Sequence, residues 1–228
     1  MPHTPCLVSD VMTNPVVAVG PRAGFKEIVE TLRQWKVSAV PVLAGDGRVV
    51  GVVSEADLLP KEEFRDADPS RMEQMRRLED MRKAGALTAE ELMSVPAVTV
   101  REDATLAQAA RTMAQRTLKR LPVVDGEGML RGIVSRADLL KVFLRSDEDL
   151  AQEVRKDVVE QLFRVSRGSV DVSVTDGVVT LSGTVRDTAL VPVAARLARA
   201  VEGVVDVQCD LVGPRAASMR APGAGAQL

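Results

Sequence analysis

Gly51-Val-Val-Ser54-Glu-Ala-Asp57-Leu-Leu59 is followed, 81 residues later, by Gly132-Ile-Val-Ser135-Arg-Ala-Asp138-Leu-Leu140. The agreement extends outward in register. Val11-Met-Thr-Asn-Pro-Val-Val-Ala-Val19 aligns with Leu92-Met-Ser-Val-Pro-Ala-Val-Thr-Val100, and Val40-Pro41-Val42 aligns with Leu121-Pro122-Val123. Two copies of roughly 50 residues exceed the common solenoid periods, so they are expected to pair face to face rather than stack. Within each Gly-x-x-Ser-x-x-Asp a strand ends and a helix begins. Glycine lets another group approach the backbone, the serine lies beside the first helical N–H groups, and the aspartate returns to the same side. Such a corner favours a phosphate, and its carboxylate can accept two hydrogen bonds from a sugar diol. The competing reading is an ordinary helix cap with a carboxylate at the positive helix end. Duplication of the corner, each time beside an apolar strand, favours a pair of ligand pockets.

Around the corners the chain reads as α/β. In the first copy Val16–Val19 suggests a short strand, and Phe25, Ile28, Val29 and Leu32 form a helical face. Val40–Leu43 and Val49–Val53 are β-rich runs around Gly45-Asp-Gly47, and Glu55–Leu59 opens another helix. The second copy repeats the order, with Thr105 and Gln108 as a capping box where the first has only Gly24 and Glu27. Between the copies, Met72, Met75, Leu78 and Met81 predict a helix from Pro69 to Lys83, its narrow stripe packing on the module or on a partner subunit. After Leu140 the pattern changes. Ser146 or Asp147 caps a helix bearing Leu150, Val154, Val158, Leu162 and Val165, and Asp176-Gly177 joins two alternating strands. A helix through Leu190, Ala194 and Ala198 and a final strand reaching Leu211 complete an αββαβ unit. The Ala/Gly/Pro-rich stretch after Pro214 predicts a disordered tail. The expected division is 1–60 and 88–146 for the two copies, 61–87 for a charged connector, 147–213 for the last unit and 214–228 for the tail.

Composition excludes several functions. The chain has 228 residues, 46% of them hydrophobic, enough for two domains of ordinary size. It has no apolar run of membrane-spanning length, and its start lacks a basic region followed by an apolar stretch, so a cytoplasmic protein is expected. Cys6 and Cys209 form no ligand cluster, and His3 is the only histidine. A His-based triad, metal site or general base is therefore not expected, and no residue is assigned to catalysis. A net charge of −2 offers no broad field for nucleic acid, and four Phe, one Trp and no Tyr give no stacking platform.

With these landmarks in register, the stretches 12–59 and 93–140 resemble two cystathionine-β-synthase (CBS) motifs forming a Bateman pair. The resemblance implies that the aspartates take the ribose diol of an adenosyl ligand, the serines approach phosphate, and residues after the Met-Thr/Ser start and beside the Pro strand surround adenine. Those roles fall to Ser54, Asp57, Thr13, Val16, Val40 and Pro41 in one site. In the other they fall to Ser135, Asp138, Ser94, Ala97, Leu121 and Pro122. The copies differ in charge. Arg136, Lys119 and Arg120 supply cations to the second, where the first has Glu55 and Ser38-Ala39. The second site is thus expected to prefer AMP, ADP or ATP, the first to be empty or to take a less anionic ligand; S-adenosylmethionine and NAD rank lower. The family also implies homodimers through the helical faces. The last unit resembles a BON domain through Val178-Val-Thr-Leu-Ser-Gly183-Thr-Val185 and Val201-Glu-Gly203-Val204-Val-Asp-Val207, a family associated with lipid surfaces. Gly183 and Gly203 read as turn or tight-approach positions. Two functions follow: a regulatory adenosyl-ligand sensor with the BON domain as output, through the helix from Asp138 toward Leu162, to a protein or phospholipid partner, or a non-catalytic scaffold or membrane-associating protein with vestigial nucleotide sites, whose BON domain binds a protein or a membrane.

Overall fold

The computed structural model describes residues 6–65, 75, 77–163 and 170–213. They divide into two compact units, one over Cys6–Leu139 and one beginning at Leu140. His3, Met72, Val165 and the segment after Pro214 lie outside the described residues.

Both copies in the first unit are built from the predicted alternation. Helix α1 (Phe25–Trp35) precedes the antiparallel pair β1 (Ala39–Leu43) and β2 (Val49–Ser54), and the corner helix α2 (Glu55–Leu58) follows. The second copy has α3 (Leu106–Gln115), β3 (Arg120–Val124), β4 (Leu130–Ser135) and the corner helix α4 (Arg136–Leu139). The Thr105 hydroxyl accepts from the Gln108 N–H at 3.2 Å and the Gln108 side chain accepts from the Thr105 N–H at 2.9 Å. Gly24 has no side chain to contribute, and only Glu27 closes back on its N–H, at 3.3 Å. The expected strand at Val16–Val19 shortens to one parallel bridge between Val19 and Val42.

The segments opening each copy cross to the other. Thr13 pairs with Ile133 and Ser94 with Val52. The short helix Val8–Val11 docks on the second copy, its Val8 N–H donating to the Ala104 carbonyl at 2.8 Å. The matching helix Ala89–Leu92 docks on the first, the Ala89 N–H donating to the Ala23 carbonyl at 2.9 Å. Ala86, Ala89 and Leu92 complete the core formed by Ile28, Leu32, Val40, Val42 and Val53. Ala86, on the connector side of the expected 87/88 boundary, shares that core with Ala89 and Leu92, and both motifs lie in one compact unit.

The motif glycines explain the crossing. A Cβ on Gly132 would lie 2.5 Å from Met12 Sδ and 3.1 Å from the Thr13 carbonyl oxygen, and one on Gly51 would lie 2.9 Å from the Met93 Cβ. Each glycine is thus the seat of the methionine that opens the other copy.

The connector is described only in part. Its described helix is Leu78–Gly85, which has no buried residue; Met75 and Leu78 are 75% and 66% exposed, so this part of the stripe is not covered by the module. Its sequence is too rich in charge to compete for the core, and ion pairs position it instead.

The second unit matches its αββαβ reading. The Ser146 hydroxyl caps the helix at Asp149 N–H, and Leu150, Val154 and Val158 are buried beneath a three-stranded sheet. Strands Val170–Thr175 and Val178–Thr184 pair antiparallel, and Asp206–Val212 joins parallel. Asp176 and Gly177 take φ of 51° and 75°, the two positive values of a tight hairpin turn, and the Asp147 carboxylate accepts both their N–H groups. Gly183 and Gly203 also have positive φ.

Two outcomes follow. Gly51→Ala is expected to cost about 1–3 kcal/mol by overpacking against Met93, and Met93→Ala alone also costs stability. In the double variant the loss is smaller than the sum, read as a double-mutant cycle from denaturant midpoints. Asp125 holds the second hairpin: its carboxylate accepts from the Met129 and Glu127 N–H groups and from Arg131. The Met129 N–H foremost, then that of Glu127 and the Arg131 charge, outweigh burial and hold this carboxyl below its ordinary range. Its stabilisation is present above the unfolded carboxylate pKa, about 4, and fades as pH falls through the lower folded value. Between pH 5 and pH 3 the wild type should lose more stability than Asp125→Asn.

Candidate functional site

A cleft of about 310 Å³ opens at the first corner. Ser54 and Asp57 line it from the first copy, and Ser94, Pro96 and Ala97 from the crossing segment of the second. Val52, Val98 and Leu118 add apolar wall, while Lys119 and Arg120 bring cationic side chains. The volume sits at the lower end of small-molecule sites.

The crossing regroups the residues assigned from the sequence. Ser94 and Ala97, expected beside Asp138, stand with Asp57. Thr13, expected beside Asp57, pairs with Ile133, two residues before Ser135, and Val16 follows on that segment. Lys119 and Arg120, expected to serve the second site, line the Asp57 cleft, because β3 starts opposite Ser38 and Ala39 there. Glu55 turns into a separate groove with Val29, Leu58 and Arg120. The expected ranking by charge therefore loses its basis. Val40 and Leu121 are fully buried, and Pro41 and Pro122 are buried beside them; Ala39 and Val52 form the wall that Val40 was expected to supply. Arg136 donates through Nε to the Leu118 carbonyl at 2.9 Å.

Both corners have the same internal geometry. Asp57 Oδ2 accepts from the Ser54 N–H at 2.7 Å and from its hydroxyl at 2.7 Å. Asp138 Oδ2 accepts from the Ser135 N–H at 2.9 Å and its hydroxyl at 2.6 Å. The aspartate closes back on the residue that starts the helix, so each serine hydroxyl points at a carboxylate rather than outward as a phosphate donor. Asp57 and Asp138 are 8% and 9% exposed. Asp57 Oδ1 also accepts from Lys83 Nζ at 2.5 Å.

Sequence reasoning missed Lys83, Thr117 and Leu118. Thr117 lines the cleft with φ of 56°, unusual for a β-branched residue, and its counterpart Lys36 has φ of 52°. The offset of 81 was available as a signal for that pair; none existed for Lys83, which has no counterpart in the repeat.

Comparison with known proteins follows this geometry. The CBS domain profile matches residues 8–61 and 89–145, and the BON domain profile matches 146–212. An uncharacterised protein of Methanocaldococcus jannaschii is 30% identical over 154 residues, 60% of this chain and 91% of the relative. The chloroplastic CBS domain-containing protein CBSX2 of Arabidopsis thaliana is 30% identical over 153 residues, 60% of this chain and 63% of that protein. The crystal structure of CBSX2 in complex with AMP superposes with a TM-score of 0.54 at 30% identity, covering 60% of this chain and 96% of that one. Two matched segments at the duplicated corners, a third at the αββαβ unit and a relative covered over nearly its whole length place this chain in the CBS-domain family, with a BON domain at its C-terminal side.

Proposed function

We propose that the CBS pair is a regulatory binding module for an adenosyl ligand, taking AMP, ADP or ATP in preference to S-adenosylmethionine and NAD. The observation that carries the reading is the cleft in which a carboxylate, two cationic residues and an apolar wall converge: Asp57, Lys119 with Arg120, and Val52 with Ala97 and Val98. A ribose diol suits the carboxylate, a phosphate suits the cations, and a flat base suits the wall. We assign Thr13 and Val16, on the segment bridged to Ile133, to the equivalent corner with Ser135 and Asp138. The AMP complex of CBSX2 supports the ligand class. We assign the BON domain the part of output or interaction module, toward a protein or phospholipid partner, and no catalytic step to either domain.

A cytoplasmic homodimer is part of the same proposal. The first copy has a groove of about 690 Å³ in which Val29, Leu32, Val37, Leu58 and Leu59 stand among Arg33, Lys36, Glu55 and Arg120, and Trp35 on the same helix as Val29 is 58% exposed. Apolar side chains gathered this way suit a second copy.

One observation favours the scaffold with vestigial sites: Ser54 and Lys83 already satisfy Asp57. Calorimetric titration with AMP, ATP, S-adenosylmethionine and NAD separates the two readings. The sensor reading expects saturable binding that Asp57→Ala and Asp138→Ala each weaken at one site, roughly 10- to 100-fold. Absence of binding by all four ligands moves the scaffold ahead. For the dimer, Val29→Glu is expected to shift the sedimenting species from two chains to one, and an unchanged mass would remove this face as the contact.

A further inference from the structure

Lys83 comes from the connector helix Leu78–Gly85, outside both repeats, yet its ammonium reaches the carboxylate of the first corner. The two side chains are covered, with 12% and 10% exposure. Asp57 Oδ2 is held by Ser54 and Oδ1 by Lys83, so an incoming diol meets an acceptor already neutralised by the chain itself.

Among the described residues, the helix that delivers Lys83 is held by a few polar contacts along its length and is anchored at its end, where Ala86 enters the first core. It buries no residue. Lys61 donates to the Ala84 carbonyl at 2.9 Å, Arg82 donates to the Glu91 carbonyl at 2.8 Å, and Arg77 pairs in bidentate fashion with Glu63. The Arg77–Glu63 pair is substantially exposed, and pairs of that kind contribute little. The covered Lys83–Asp57 pair is different, because separating it without a replacement strands two charges. A polar ligand that supplies hydroxyls to Asp57 removes half of that penalty, and the released ammonium regains water.

We propose that Lys83 is a built-in competitor for the Asp57 cleft: ligand hydroxyls replace the ammonium on the carboxylate, and this exchange releases the connector helix. The inference rests on the adenosyl reading of the same cleft and makes its occupancy a mechanical signal. It also makes the exchange selective, because a ligand lacking the vicinal diol has less to offer the carboxylate in return.

The test uses the full-length chain and AMP. Lys83→Met is expected to tighten AMP binding at the Asp57-dependent site by roughly tenfold or more, the scale of one charged hydrogen-bonding partner. In the wild type, acetylation of Lys83 read by mass spectrometry should quicken several-fold when AMP is added, with Lys26 and Lys36 unchanged, and 2′-deoxy-AMP should quicken it less. The labelling decides even where Lys83→Met fails to fold. Weaker or unchanged AMP affinity in Lys83→Met, or slower labelling of Lys83 with AMP, overturns the competitor role. If neither protein binds AMP, the adenosyl reading falls and takes this inference with it; Asp57-dependent binding indifferent to Lys83 defeats the inference alone.

Discussion

The crossing of two short segments organises the CBS pair. Met12 lies over Gly132 and Met93 over Gly51, and each seat exists only because the glycine has no Cβ. The neighbouring backbone satisfies its hydrogen bonds across the copies, Thr13 with Ile133 and Ser94 with Val52. Leu92, fully buried in the first core, arrives by the same route. Burial of a leucine contributes about 1.5–3 kcal/mol, so the first copy does not complete its core from its own residues. The glycine of the motif is a packing requirement before it is a ligand feature.

The same crossing composes the cleft. Ser94 and Ala97 reach Asp57 because their segment is anchored on β2, and Lys119 with Arg120 reach it because β3 starts at its edge. Polar groups at the corner serve two purposes at once. The aspartate caps the start of the helix by accepting from the Ser54 N–H, and it presents its other oxygen to whatever lies outside, which here is Lys83. Local stability and ligand recognition therefore draw on the same carboxylate, and Lys83 ties both to the connector helix.

Legibility varied with the range of the interaction. The BON unit was readable because its cues are local: an Asp-Gly turn, a serine three residues before Asp149, and leucine and valine at helical spacing. The corners at Ser54 and Ser135 were readable for the same reason. The partners of Thr13 and Ser94 were not, since a segment that opens one copy fits the pattern of either sheet. Val40 and Leu121 were assigned to pockets from their place beside a proline, but alternation turns them inward, fully buried, and leaves Ala39 and Val52 at the cleft. Within the methionine stripe of the connector, Met75 and Leu78 are left exposed by the module.

The sequence by itself determined the duplication, the order of strands and helices, the two Ser–Asp corners and the separate αββαβ unit. Those follow from side-chain periodicity and from turn chemistry acting over a few residues. Tertiary structure alone decided which corner each opening segment meets, which cations face which carboxylate, and that Lys83 covers Asp57. Two similar copies offer nearly equivalent apolar edges, so the choice between them rests on close packing at Gly51 and Gly132 and on the reach of the connector, quantities defined only in three dimensions.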